Sequence, residues 1–311
     1  MAASATSSDK RKSTYDDDLA IKPVNPVLDH VLGLIFILLA LRLLYEFYFD
    51  FELGVLFFVA LAISYVWVQC VRKGALKVAM FISDRRVGPS IPVECQRPLA
   101  SELAQRKVMD QSWQLAIHVT MTAFAFYLMK DTTWFTDTAS TFSPCPSRFR
   151  DGELSRPMQL NAYYVMQLAI WMWTAFSCKW LESRRKDYVE MMLHHIVTIM
   201  LVLASLLYKE HPMGMLVLIV HDSSDVVLDM MKLANYFKLE NSHGFFITEF
   251  CFFLNTFVSW PLLRLYYFPK KVIYEGVIVG ESIGLYDRNL FCKVLNFLYY
   301  LFRVRRSLWS W

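Results

Sequence analysis

Two apolar stretches of this chain carry imidazoles and carboxylates where plain hydrocarbon would be expected. The first, RRKDYVEMMLHHIVTIMLVLASLLY at 184–208, holds His194 and His195. The second, PMGMLVLIVHDSSDVVLDMMKLANY at 212–236, holds His221, Asp222, Asp225 and Asp229. Such groups together can move a proton: the imidazole titrates, and a carboxylate fixes its tautomer. A charged side chain in mid-bilayer costs about 2.5–3.5 kcal/mol, so several carboxylates on one apolar segment need compensation from partners or a wet cavity. A helix–helix polar clamp is the bland explanation. The number of groups and their common depth favour function over it.

That depth follows from helix geometry. The turn around Lys209, Glu210 and His211 makes the two segments antiparallel neighbours. At ~1.5 Å per residue, His195 lies about 22 Å from the turn, His221 about 17 Å and Asp225 about 23 Å. At ~100° per residue, His221, Asp222, Asp225, Asp229 and Lys232 share an arc of about 100°. On the other helix Asp187, His194, Thr198 and Ser205 align within about 40°, with His195 about 100° round. Each helix therefore has one polar stripe, and the stripes should face each other or a shared cavity.

The elements that position these groups are membrane helices. Of the 311 residues, 56% are hydrophobic and 16% aromatic, an excess that a bilayer accommodates better than a soluble core. Segments long enough to span fall near 28–49, 53–71, 111–129, 158–178, 187–208, 212–232, 245–266 and 285–302. The first two are a tight hairpin, or one span with an interfacial helix, which leaves six to eight crossings. The fold class expected is an all-α polytopic bundle. A polar, disordered tail (1–27) precedes a membrane anchor (28–84), and a linker rich in proline (85–100) leads to the main bundle (101–305) and a short tail (306–311). The tail does not read as a cleaved signal peptide.

Charge sets an orientation. Lys179 with Arg184, Arg185 and Lys186, then Lys232 with Lys238, then Arg303 with Arg305 and Arg306 fall on one side, the cytosolic one by the positive-inside rule. The net charge of +4 is too small to point to nucleic acid. Six scattered cysteines form no C-x-x-C pair and suggest neither a disulfide framework nor a zinc site.

The run Arg185-Lys186-Asp187-Tyr188, Met191, His194-His195, Thr198, Ser205, Gly214, His221-Asp222, Ser224-Asp225, Leu228-Asp229, Lys232 and Asn235-Tyr236 resembles the ceramide synthases of the TLC-domain family. Weaker resemblance runs from the Trp113 helix to about Pro269. Between Ser205 and Gly214 the chain departs from the family's usual Tyr, Asn and Arg, with Leu206, Tyr208-Lys209 and Pro212. The resemblance implies a TLC-type bundle of six helices plus one or two N-terminal ones. It also implies residence in the endoplasmic reticulum and transfer of a fatty acyl group from acyl-CoA to the amine of a sphingoid base. Acyl-CoA is then a co-substrate, no metal or other cofactor is expected, membrane lipid surrounds the chain, and homo- or heterodimers are admitted.

Under that reading His194 or His195 is the base or acyl-accepting nucleophile, with His194 favoured for its place on the stripe. Asp222 and Asp225 are its orienting partners and His221 the second acid/base. Asp229 and Lys232 are expected as a salt-linked support, with Thr198 and Ser205 on the substrate-binding stripe. Arg184, Arg185 and Lys186 suit the phosphates of CoA, although positive-inside anchoring explains each equally well. Asp187 suits a helix N-cap. Two rivals stand beside this. A metal-dependent lipid oxidase would need more histidines than the seven here, of which His30, His118 and His243 are expected to sit apart from the cluster. A non-enzymatic TLC-domain lipid-binding or translocation-associated protein is the other.

Overall fold

The computed structural model describes residues 25–86, 96, 98–130, 132–141, 155–181, 188–207, 211–239 and 246–282. Among them there is no β-strand. Helices α1 (Pro26–Phe49) and α2 (Phe51–Arg85) are separated by Asp50 alone. Its side chain accepts from the Leu53 amide at 3.0 Å, so one residue ends the first helix and caps the second. The absence of a side chain at Gly54 permits this hairpin, since a Cβ there would meet the Phe47 carbonyl oxygen at 2.8 Å. Phe47 and Phe57 meet across this turn with ring centroids 5.0 Å apart. Ser101 caps α3 (Glu102–Met129) through the Ala104 amide at 3.2 Å. A short 3-10 turn (Thr138–Thr141) precedes α4 (Ser155–Phe176), which continues into a π-turn at Ser177–Leu181.

The two chemistry-bearing segments form α5 (Tyr188–Leu207) and α6 (His211–Tyr236). Helix α6 ends with Lys238 at φ 52°, the Leu239 amide bonding the Ala234 carbonyl and the Lys238 amide bonding that of Asn235. This is a Schellman closure built on lysine. The seventh membrane segment is α7 (Ile247–Phe253), a long π-helical stretch (Leu254–Tyr274) containing Pro261 and Pro269, and α8 (Glu275–Ser282). The apolar segment expected at 285–302 and the tail at 306–311 lie outside the described residues, as does the greater part of the N-terminal tail and of the linker.

The helices alternate in direction. One end of the bundle gathers the start of α1, the ends of α2, α4 and α6 and the starts of α3 and α5; it is called the basic end. Here Arg86 donates to the Phe237 and Lys238 carbonyls that close α6. A small apolar core of Ala79, Leu99 and Val108 ties α2, α3 and the end of α6 together. Lys179, pushed out of α4 by the π-turn, is ion-paired with Asp29 of α1, which also accepts from the Tyr188 hydroxyl at 2.7 Å. The opposite, turn end holds the end of α5, the start of α6 and a stacked Phe135–Tyr267 pair at 4.6 Å.

Helix α6 packs most extensively on α3 and on the π-helical stretch, and α4 on α2 and α5. Contact between α5 and α6 is slight, so the sequence neighbours are antiparallel but stand apart across a hollow. Outer faces are apolar and exposed, for example Leu34, Leu38 and Leu41 on α1 and Phe257, Leu262 and Leu265 on the π-helical stretch. A surface of this kind is stable in lipid. Among the described residues three helices, α1, α2 and α5, are both long and apolar enough to cross a membrane by hydropathy alone. Helices α3, α4 and α6 have comparable or greater length but carry the polar groups that line the interior. The chain is an all-α membrane protein.

Candidate functional site

Two cavities lie inside the bundle. The first, about 310 Å³, opens toward the basic end and is lined by Gln114, His118, Tyr188, His195, Asp229 and Lys232 among others. The second, about 230 Å³, runs toward the turn end between Val197, Leu201, Val202, Val217, Leu218 and Phe268. Trp171, His194, Asp222 and Asp225 line both and so form the neck between them.

Helix α4 braces the neck. The Trp171 ring packs against His194 and His195, each with centroids 5.6 Å away. Its Nε1 donates to Gln167 Oε1 at 3.0 Å, and Gln167 Nε2 donates to Asp222 Oδ2 at 2.8 Å. From the other side Arg264 of the π-helical stretch donates to Asp225 Oδ1 at 2.6 Å, to Ser224 Oγ at 2.6 Å and to the His221 carbonyl at 3.3 Å. The carboxylates expected to orient the histidines are thus engaged by an amide and a guanidinium. The reason is the gap between α5 and α6, which separates the imidazoles from hydrogen-bonding reach of α6. His194 is exposed at the neck, with its ring against Trp171. His195 is buried, and its Nδ1 makes no hydrogen bond to protein.

Lower down the same row, Asp229 accepts from Gln111 Nε2 at 2.5 Å and from His118 Nδ1 at 2.7 Å, both on α3. The salt link expected between Asp229 and Lys232 is therefore replaced by a pairing across helices. His118, expected to lie apart, belongs to the cluster. Tight α3–α6 packing brings this about, and a polar row of Gln111, Gln114 and His118 at three- and four-residue spacing was the signal for it. Lys232 lines the first cavity near its mouth.

His221 donates Nδ1–H to the Val217 carbonyl at 2.7 Å, packs edge-on against Phe268 and lines the second cavity. Thr198 Oγ1 donates to the His194 carbonyl at 2.8 Å. Ser205 Oγ and Tyr164 Oη are 3.0 Å apart at the closed end, with Tyr164 donating to the His211 carbonyl at 2.7 Å. Gly214 allows this closure, because a Cβ there would overlap both oxygens. Arg184, Arg185, Lys186 and Asp187 lie outside the described residues. Among the described residues no group of three or more His, Cys, Asp or Glu is arranged to hold a metal ion.

The arrangement can hold a long molecule by its apolar tail in one chamber and its polar part in the other, with an imidazole at the junction. Comparison with known proteins agrees in kind. The TLC domain family matches residues 107–304. ASC1-like protein 3 of Oryza sativa subsp. japonica is 30% identical over 225 residues, covering 68% of this chain and 75% of that protein. Ceramide synthase 1 of Homo sapiens is 31% identical over 190 residues, 57% of this chain and 52% of its own length. Ceramide synthase LOH2 of Arabidopsis thaliana is 32% identical over 167 residues, 54% of this chain and 52% of its own. The chain thus matches about half the length of these two ceramide synthases.

Proposed function

The chain belongs to the TLC-domain family, and from that premise we propose that it is a ceramide synthase, moving a fatty acyl group from acyl-CoA to the amino group of a sphingoid base. The observation that carries this reading is His194 at the neck shared by a carboxylate-lined chamber and an apolar one. The thioester would lie across the neck, its hydrocarbon chain among Val197, Leu201 and Leu218 and its CoA portion toward the basic end.

The amine nitrogen attacks the thioester carbonyl, a C–N bond forms and the C–S bond breaks. His194, or His195 beside it, acts as base toward the amine or first accepts the acyl group itself. The proton lost by nitrogen returns to the departing thiolate. Asp222 and Asp225 set the field at the neck through Gln167 and Arg264, and His221 serves as a further acid/base on the apolar side. Thr198, Ser205, Asp229 and Lys232 shape the chambers around the substrates, while Arg184, Arg185 and Lys186 suit the CoA phosphates. The basic end then faces the cytosol, with the C-terminus on that side, and the protein resides in the endoplasmic reticulum.

Detergent-solubilised protein assayed with a panel of acyl-CoAs and sphinganine tests this. Wild type should form the amide, His194→Ala should lose about 100-fold or more, and Asp225→Ala should be severely impaired. Full N-acylation by both variants would sink the assignment of the centre; no amide from wild type would leave the non-enzymatic reading.

A further inference from the structure

We propose that His118, held by Asp229, takes the extra proton from the incoming ammonium of the sphingoid base and passes it to the basic end, apart from the proton transfer at the neck. This rests on the ceramide synthase reading. A primary alkylamine is mostly protonated near neutral pH, as a lysine side chain is. An ammonium has no lone pair and cannot attack a thioester. It must first give up one proton, and attack then releases a second. The neck histidine serves the second transfer only if another base has taken the first. The balance is R–NH3+ plus neutral His118 giving R–NH2 plus protonated His118. Amide formation then returns its own proton to the thiolate, and His118 discharges to solvent.

The geometry meets each requirement. Both oxygens of Asp229 are engaged, one by Gln111 and one by His118, so the pair is fixed in orientation. In its neutral form His118 faces the carboxylate with Nδ1–H and keeps the lone pair on Nε2. The Asp229 side chain is 3% exposed while that of His118 is 15% exposed, so the imidazole is the member open to the cavity. Asp222, Asp225 and Asp229 stand three and four residues apart on one face of α6, a row of negative charge that draws an ammonium inward. Asp229 is four residues, or ~6 Å along the helix, nearer the basic end than Asp225. It thus lies between the neck and the mouth at Lys232.

The charges around the cavity are consistent with this role. Asp222 and Asp225 of α6 share the cavity with His118, and of the two cations, Arg264 is taken up by Asp225 while Lys232 sits beyond Asp229 near the mouth. The remaining titratable groups on its wall are His194, His195 and Tyr188 of α5 and Cys178 of the π-turn.

The test compares two acceptors on the full-length protein in detergent: sphinganine, and a long-chain O-alkylhydroxylamine whose amino group is already neutral at pH 7. His118→Gln keeps a donor toward Asp229 but cannot take up a proton. With sphinganine at pH 7 it should be slower than wild type by about 100-fold, and the gap should close as the pH is raised and the free amine accumulates. With the hydroxylamine the deficit should be at least about tenfold smaller, since only the neck transfer remains. Asp229→Asn should show the same acceptor-dependent pattern, and it decides the matter if His118→Gln does not fold. Equal losses on both acceptors at every pH, or no loss on either, would overturn the proposal while leaving the enzyme assignment standing. A wild type that acylates neither acceptor would overturn both.

Discussion

The two chambers that meet at His194 are built to opposite rules. From the neck toward the basic end runs a row of carboxylates, each satisfied by a partner from a different helix: Gln167 of α4 for Asp222, Arg264 for Asp225, and Gln111 with His118 of α3 for Asp229. Beyond the neck toward the turn end the wall is mainly apolar, with His221 and Thr198 set into it, and its polar closure by Tyr164 and Ser205 is satisfied at the far tip. A charge in low dielectric is tolerated only when paired, so the polar chamber needs contributions from all round the bundle. An apolar chamber needs only shape. The polar half should therefore be brittle to loss of a partner and the apolar half adjustable.

Removing a partner is the hardest test of that contrast. Arg264→Leu leaves Asp225 and Ser224 without their donor, and should lower unfolding stability by about 3 kcal/mol. Thermal denaturation in detergent reads the loss, and adding Asp225→Asn should recover part of it. If Arg264→Leu melts like wild type, the polar wall is not brittle. Filling the apolar chamber should act differently. Leu201→Trp is expected to change selectivity, lowering the rate on long acyl-CoAs relative to short ones about tenfold, or ~1.4 kcal/mol. An unchanged chain-length profile would mean that the tail lies elsewhere. The smallest effect belongs to the mouth: Lys232→Ala should raise the KM for acyl-CoA a few-fold, under about 1 kcal/mol, and less so at high salt.

Much of this was legible before any coordinates. Apolar segment lengths locate the helices, and the angular alignment of His221, Asp222, Asp225, Asp229 and Lys232 is a property of α6 alone. What escaped were the partners from other helices. Gln167 and Trp171 are ordinary on an apolar helix until its azimuth toward α6 is known, and that is set by packing on α2 and α5. His118 was discounted for its distance in sequence, though it shares a stripe with Gln111 and Gln114. Arg264 had a signal of its own, a guanidinium inside a predicted span, which carries the same insertion penalty as the aspartates. Facing of stripes is a weaker inference than their existence: α5 and α6 present theirs to a common hollow instead of to one another.

The Asp29–Lys179 pair carries a consequence for where this molecule begins in any functional sense. The region shared with the TLC-domain family starts only at 107, yet Asp29, far upstream, is the counter-charge of Lys179 and the anchor of the Tyr188 hydroxyl, whose ring lines the carboxylate chamber. Trimming the protein to its shared region would orphan a largely enclosed ammonium, a loss of about 3–5 kcal/mol where such a pair is broken. The same cut would slacken one wall of the carboxylate chamber. The opening hairpin is a buttress for the domain that the family model covers.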